Sequence, residues 1–157
     1  MDIERLITPE RIRCVSDVET KEQVLDRIGA LIGGADGGLT QAEISRRLAA
    51  RERLGSTGLG HGVALPHARL EGTERAIGAL LRLDRGIDFD AFDREPVDLL
   101  FALVVPEHFT DEHLQILAAL AEMFSDAALC ERLRAAGDDA ELLSALREWQ
   151  SHADDAS

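Results

Sequence analysis

The sequence predicts a single α/β domain, and three observations carry that reading. Strand-like and helix-like stretches alternate along the chain instead of segregating into separate blocks. The run Val97-Asp98-Leu99-Leu100-Phe101-Ala102-Leu103-Val104-Val105 is nearly all apolar, as expected for a strand covered on both faces. At 157 residues the chain is long enough to bury one sizeable core, and it shows no internal repeat or second domain.

Taken in order, residues 11–16 alternate in part and suggest a first strand. Thr20-Lys21-Glu22-Gln23 fits a capping box, and Val24, Leu25, Ile28, Leu31 and Ile32 then mark one helical face. Gly33-Gly34 stops that helix. Thr40-Gln41-Ala42-Glu43 caps a second, with Ile44 and Leu48 on its inner side and an end near Arg51. A glycine-rich loop leads to the short apolar run Val63-Ala64-Leu65, a buried strand closed by Pro66, which has no N–H for a ladder. Residues 76–83 and 97–105 read as longer strands, with Asp84 to Pro96 an acidic loop or short irregular strand between them. Pro106 ends the apolar strand. A helix then begins at Thr110 or Asp111 with Leu114, Leu117, Leu120 and Phe124 inward. Helical segments follow at 127–136 and 139–150, leaving 151–157 as a polar, frayed tail to a domain spanning 1–150.

Composition narrows the function classes. A formal charge of −13 argues against general nucleic-acid binding, which needs a basic face. No run approaches the ~18 apolar residues of a membrane span, and the N-terminus Met-Asp-Ile-Glu-Arg lacks the regions of a signal peptide, so a cytoplasmic protein is expected. Cys14 and Cys130 form no disulfide framework and lack metal-ligand spacing; both read as reduced packing residues. Lys21 is the only lysine, so cationic work falls to arginine, whose planar fork suits phosphate.

Chemistry concentrates between Arg51 and Arg69. Gly55, Gly58, Gly60 and Gly62 permit backbone conformations that side chains forbid, and Pro66 delivers His67 on a stiff turn beside Arg69. Arg46, Arg47, Arg51, Arg53 and Arg69 face one acid in this region, Glu52, although Arg46 and Arg47 read as solvated helix charges. A neutral imidazole can attack phosphorus, and an unperturbed pKa near ~6.5 leaves it largely unprotonated at neutral pH. The segment is therefore a candidate phosphate site, with a tight turn that holds no ligand as the alternative. A nucleotide cradle is disfavoured, because His61-Gly62 stands where a P-loop requires Lys-Ser/Thr. Gly-Ser-Thr-Gly is not the elbow of a serine hydrolase, and the histidines lack metal-ligand spacing, so neither a metal nor a cofactor is expected.

Arg51-Glu52, Gly55-Ser56-Thr57-Gly58, Gly60-His61-Gly62 and Pro66-His67 together resemble the phosphorylation-site motif of the phosphotransferase-system EIIA proteins of the fructose/mannitol type. The nitrogen-regulatory branch is nearest. The resemblance continues through residues 96–103 and 110–117, and so covers most of the chain. It implies a mixed β-sheet flanked by α-helices. It assigns His67 the role of phosphoryl acceptor and His113 that of phosphate-stabilising partner, with Arg51 as the charge partner of the phosphate. Gly55, Ser56, Thr57, Gly58 and Arg69 are candidates for binding phosphate, although Ser56 and Thr57 fit equally well as turn-stabilising residues. Glu52 is a candidate to orient Arg51 or a histidine, and His61 a candidate for the rim of the site; His108 and His152 look incidental. The donor implied is an HPr-type phosphocarrier, and the downstream partner a regulated protein or an EIIB protein. The absence of a fused EIIB or membrane segment favours the regulatory branch. A standalone sugar EIIA is the alternative, and a silent interaction domain the alternative of another class.

Overall fold

The computed structural model describes residues 2–35 and 38–156; Met1, Asp36, Gly37 and Ser157 lie outside the described residues. Its six-stranded sheet is mixed and centred on β6 (Val97–Pro106). On one side β5 (Ile77–Ile87) pairs with it antiparallel, and β1 (Ile12–Val15) runs parallel to β5 beyond. On the other side two short strands follow one another along β6, both parallel to it: β3 (Val63–Ala64) and β4 (His67–Leu70). The hairpin strand β2 (Gly58–Gly60) closes this edge against β3.

Alternation along β6 divides the core. Leu100, Ala102 and Val104 pack with α1 (Lys21–Ile32) and α2 (Gln41–Arg53), whereas Leu99, Phe101, Leu103 and Val105 face α3 (Asp111–Phe124), α4 (Ala127–Ala135) and α5 (Asp139–Ala156). All seven side chains are completely buried, which is why the strand carries almost no polar residue. Each such burial stabilises the fold by roughly 1.5–3 kcal/mol for the larger side chains. Helix starts follow the sequence signals. Thr20 and Gln23 form the expected capping box, and Thr40 Oγ1 accepts from the Glu43 N–H at 3.2 Å.

Four expectations are corrected. β5 runs on to Ile87 through an irregularity after Arg82, because Ile87 is buried and pairs with Val97. Residues 67–70, read as following a strand end, resume pairing as β4, since Pro66 interrupts the edge without ending it. Leu114 points to solvent at 67% exposure; the buried stripe of α3 is Leu120, Met123 and Phe124. The tail expected to fray from residue 151 continues α5 as helix through Ala156. Among the described residues no helix is long and apolar enough to cross a membrane.

Candidate active site

The site is built where the interrupted edge meets the ends of α2 and α3. Pro66 is buried, and its carbonyl accepts the Leu103 N–H at 2.9 Å, which keeps the chain registered on β6 through the break. His67 is the next residue and pairs with Leu103. Its Nδ1 lies 2.8 Å from the Leu65 carbonyl oxygen. A carbonyl only accepts, so Nδ1 carries the proton and the lone pair resides on Nε2. Leu65 is itself held, its N–H donating to the Thr57 carbonyl at 3.1 Å.

His113 stands in the first turn of α3, its ring edge-on to that of His67 with centroids 5.3 Å apart. Its Nε2 is buried and has no hydrogen-bond partner among the described residues. Burial, the neighbouring His67 and the Arg69 charge together lower its pKa from 6.5 to about 4. Burial also lowers the pKa of His67, and the Arg51 charge adds to this; the Leu65 hydrogen bond and Glu52 oppose it. Both rings are therefore neutral near pH 7, which leaves one nucleophilic lone pair and one unmet polar atom side by side.

A cleft of about 530 Å³ opens over the two imidazoles. Arg47, Arg51 and Arg69 line it, together with Thr110 and Asp111 of the α3 start. Arg51 is braced by an Nη1 donation to the Gly55 carbonyl at 2.8 Å, and Arg47 by an Nη2 donation to the Arg69 carbonyl at 2.9 Å. Leu54 and Leu114, at 84% and 67% exposure, form apolar rims on either side. A dianionic phosphoryl group would meet three guanidiniums in a partly desolvated hollow, the setting in which such charge pairs are strongest.

The structure thus brings together His67, His113, Arg51 and Arg69. It does not place Gly55, Ser56, Thr57 or Gly58 on the cleft wall. Ser56 Oγ donates to the Phe89 carbonyl and accepts the Gly58 N–H, so of its two expected roles it fills the turn-stabilising one. Thr57 is buried, with its N–H on Glu52 Oε1. Glu52 bonds neither Arg51 nor a histidine; its partners are Thr57 and Lys21. His61 lies away from the site, lining a separate hollow with Asp93, Asp98 and Arg134. Arg47 is exposed, as expected of a solvated helix charge, and it also lines the cleft, since its i,i+4 spacing from Arg51 places both on one face of α2.

This architecture is shared with IIA proteins of the phosphotransferase system. The IIA of the Escherichia coli complex of enzyme IIA mannitol with phosphorylated enzyme IIB mannitol superposes with a TM-score of 0.71 at 20% identity, covering 91% of this chain and 99% of that one. Residues 5–149 match the family model for the phosphoenolpyruvate-dependent sugar phosphotransferase system, EIIA 2, and the chain belongs to that family. The nitrogen regulatory protein of Pseudomonas aeruginosa is 44% identical over 134 residues, 85% of this chain and 87% of that protein. The crystal structure of nitrogen regulatory protein IIA-Ntr from Neisseria meningitidis matches with a TM-score of 0.85 at 38% identity, covering 92% of this chain and 98% of that chain.

Proposed function

We propose that the chain is a phosphocarrier that accepts a phosphoryl group from an HPr-type phosphohistidine protein onto Nε2 of His67. Its phosphorylation state then acts chiefly as a signal of the nitrogen branch. The observation that carries this reading is the Nδ1 to Leu65 hydrogen bond beneath a cleft lined by guanidiniums, with Nε2 left as the nucleophile. In the transfer the donor's P–N bond breaks as the bond from phosphorus to Nε2 forms. The His67 proton stays on Nδ1, where the Leu65 carbonyl stabilises the charge that the ring gains, and the donor imidazole departs with its electron pair. Little covalent work falls to the protein; positioning and charge stabilisation carry the step.

Arg51, Arg47 and Arg69 hold the phosphoryl oxygens, and Nε2 of His113, buried with no hydrogen-bond partner among the described residues, supplies a further hydrogen bond. Gly55 and Thr57 act indirectly, by bracing Arg51 and Leu65, while Ser56 holds the turn through Phe89 and Gly58. The nitrogen-branch assignment rests on the relatives that match over most of the chain. A second reading, delivery of phosphate to a fructose/mannitol-type EIIB, is favoured by the fold shared with the mannitol IIA found in complex with phosphorylated IIB. Transfer from nitrogen-branch and sugar-branch carriers, followed by challenge with such an EIIB, separates the two. Faster uptake from the nitrogen-branch carrier, with phosphate retained in the presence of EIIB, supports the first. Rapid discharge to EIIB supports the second, and no uptake from either donor overturns both.

A further inference from the structure

We propose that Lys21 and Glu52 are positioning residues for His67, a buried ion pair that anchors the backbone groups holding its imidazole in the Nδ1–H tautomer. The proposal rests on His67 being the phosphoryl acceptor, and it extends the site to two residues outside the cleft. Every link is a hydrogen bond or ion pair. Lys21 Nζ lies 3.2 Å from Glu52 Oε1. The same oxygen accepts the Thr57 N–H at 3.2 Å. The Thr57 carbonyl accepts the Leu65 N–H at 3.1 Å, and the Leu65 carbonyl takes His67 Nδ1 at 2.8 Å. Moving Glu52 therefore moves the acceptor that selects which ring nitrogen is nucleophilic.

Stability alone does not account for the pair. The Lys21 and Glu52 side chains are 14% and 4% exposed, so both charges are taken largely out of water. Each also sits at the unfavourable end of its helix: the ammonium on the first residue of α1, the carboxylate in the last turn of α2. Glu52 Oε2 and Thr57 Oγ1 are buried with no hydrogen-bond partner among the described residues, a further cost to retaining a carboxylate there. Buried ion pairs are often replaced by an apolar pair of similar volume with no loss of stability. What such a pair would lack here is a fixed acceptor for the Thr57 N–H.

Lys21 is in turn held from several sides. Its Nζ donates to the Phe89 carbonyl at 3.3 Å, lies 3.6 Å from Asp90 Oδ2, and sits 4.4 Å from the centroid of the Phe89 ring. Ser56 Oγ donates to that same Phe89 carbonyl at 2.8 Å. The segment leading to Thr57 is thereby pinned on both flanks.

The test reads the His67 ring nitrogens by ¹⁵N NMR, assigned against His67→Gln, in the full chain with no phosphate donor present. Wild type should show a single Nδ1–H tautomer. Glu52→Ala should show a mixture, with single-turnover uptake slowed by about tenfold to a hundredfold, as expected for a small misplacement of a reacting group. Glu52→Gln, whose amide oxygen still accepts from Thr57, should recover most of the single tautomer, and Lys21→Met should shift the mixture in the direction of Glu52→Ala. Ile44→Val, a core change on the same helix, should lower Tm and leave the ring spectrum untouched. A single Nδ1–H tautomer in folded Glu52→Ala would overturn the proposal. If that variant fails to fold, an unchanged ring in Lys21→Met does so. Failure of wild type to take up phosphate would instead overturn the phosphocarrier reading, and the ring spectrum would still decide this one.

Discussion

At the scale of single residues, His67 and His113 have the same ring, yet their nitrogens meet different neighbours. The Leu65 carbonyl fixes the proton of His67 on Nδ1, whereas Nε2 of His113 is buried without a partner among the described residues. Replacing His113 by Ala should slow single-turnover phosphoryl uptake by about a hundredfold, the usual cost of losing one preorganised donor, with the melting temperature little changed. Quenched-flow transfer from an HPr-type donor measures it; an unchanged rate removes His113 from the mechanism. His67 was legible as a candidate from Pro66, Arg69 and the glycine loop before it, whereas His113 and Arg51 were candidates only through the family resemblance. Lys21 was not legible, because its partners Glu52 and Phe89 are distant in sequence and only the fold brings them together. Arg47 is solvated as expected, and only its place beside the cleft was not legible. An arginine on a polar helix looks the same whether it faces water or a cleft.

At the scale of elements, α3 separates periodicity from burial. Leu114 and Leu120 both read as inward, yet Leu114 stands at the cleft rim and Leu120 is completely buried. Leu120→Ala should cost about 2–5 kcal/mol in urea unfolding, while Leu114→Ala should stay within about 0.5 kcal/mol. Equal costs would mean that the first turn of α3 packs inward. The end of α4 depends on a residue of β5: Arg82 Nη1 donates to the carbonyls of Leu133, Arg134 and Ala136. These are the orphan acceptors of a helix C-terminus, so Arg82→Ala should destabilise by about 3 kcal/mol, read by the same unfolding experiment. A loss under about 1 kcal/mol would show that water satisfies those carbonyls equally well. The helices and the two long strands were legible because caps and apolar runs are local signals. The strands β2 and β4 were not: Gly58-Leu59-Gly60 has almost no side chains to pattern, and the alternation of His67 to Leu70 spans too few residues.

At the scale of the whole molecule, the site is linked to stability through protons. The fold lowers the pKa of both site imidazoles, so it favours their neutral forms and the unfolded chain binds more protons at mildly acid pH. The stability they contribute is complete above the ordinary value of 6.5 and is lost as pH falls toward about 4, the value for His113. Chemical unfolding across that range should show the loss, and His67→Gln with His113→Gln should flatten it. An identical slope in the double variant would place the linkage elsewhere. The carboxyls of Asp17 and Asp93, whose pKa values are lowered by hydrogen bonds, titrate below this window. The α/β class followed from the pattern of elements, and the mixed sheet flanked by helices from the family resemblance. The meeting of α2, α3 and the interrupted edge strand over one cleft is a property of the assembled fold, visible in no single stretch. The most direct measurement is intact mass under alkaline conditions after exposure to a phosphorylated HPr-type carrier, with wild type and His67→Ala side by side. The account predicts one added, acid-labile phosphate on wild type and none on the variant. Equal phosphate on His67→Ala would contradict it.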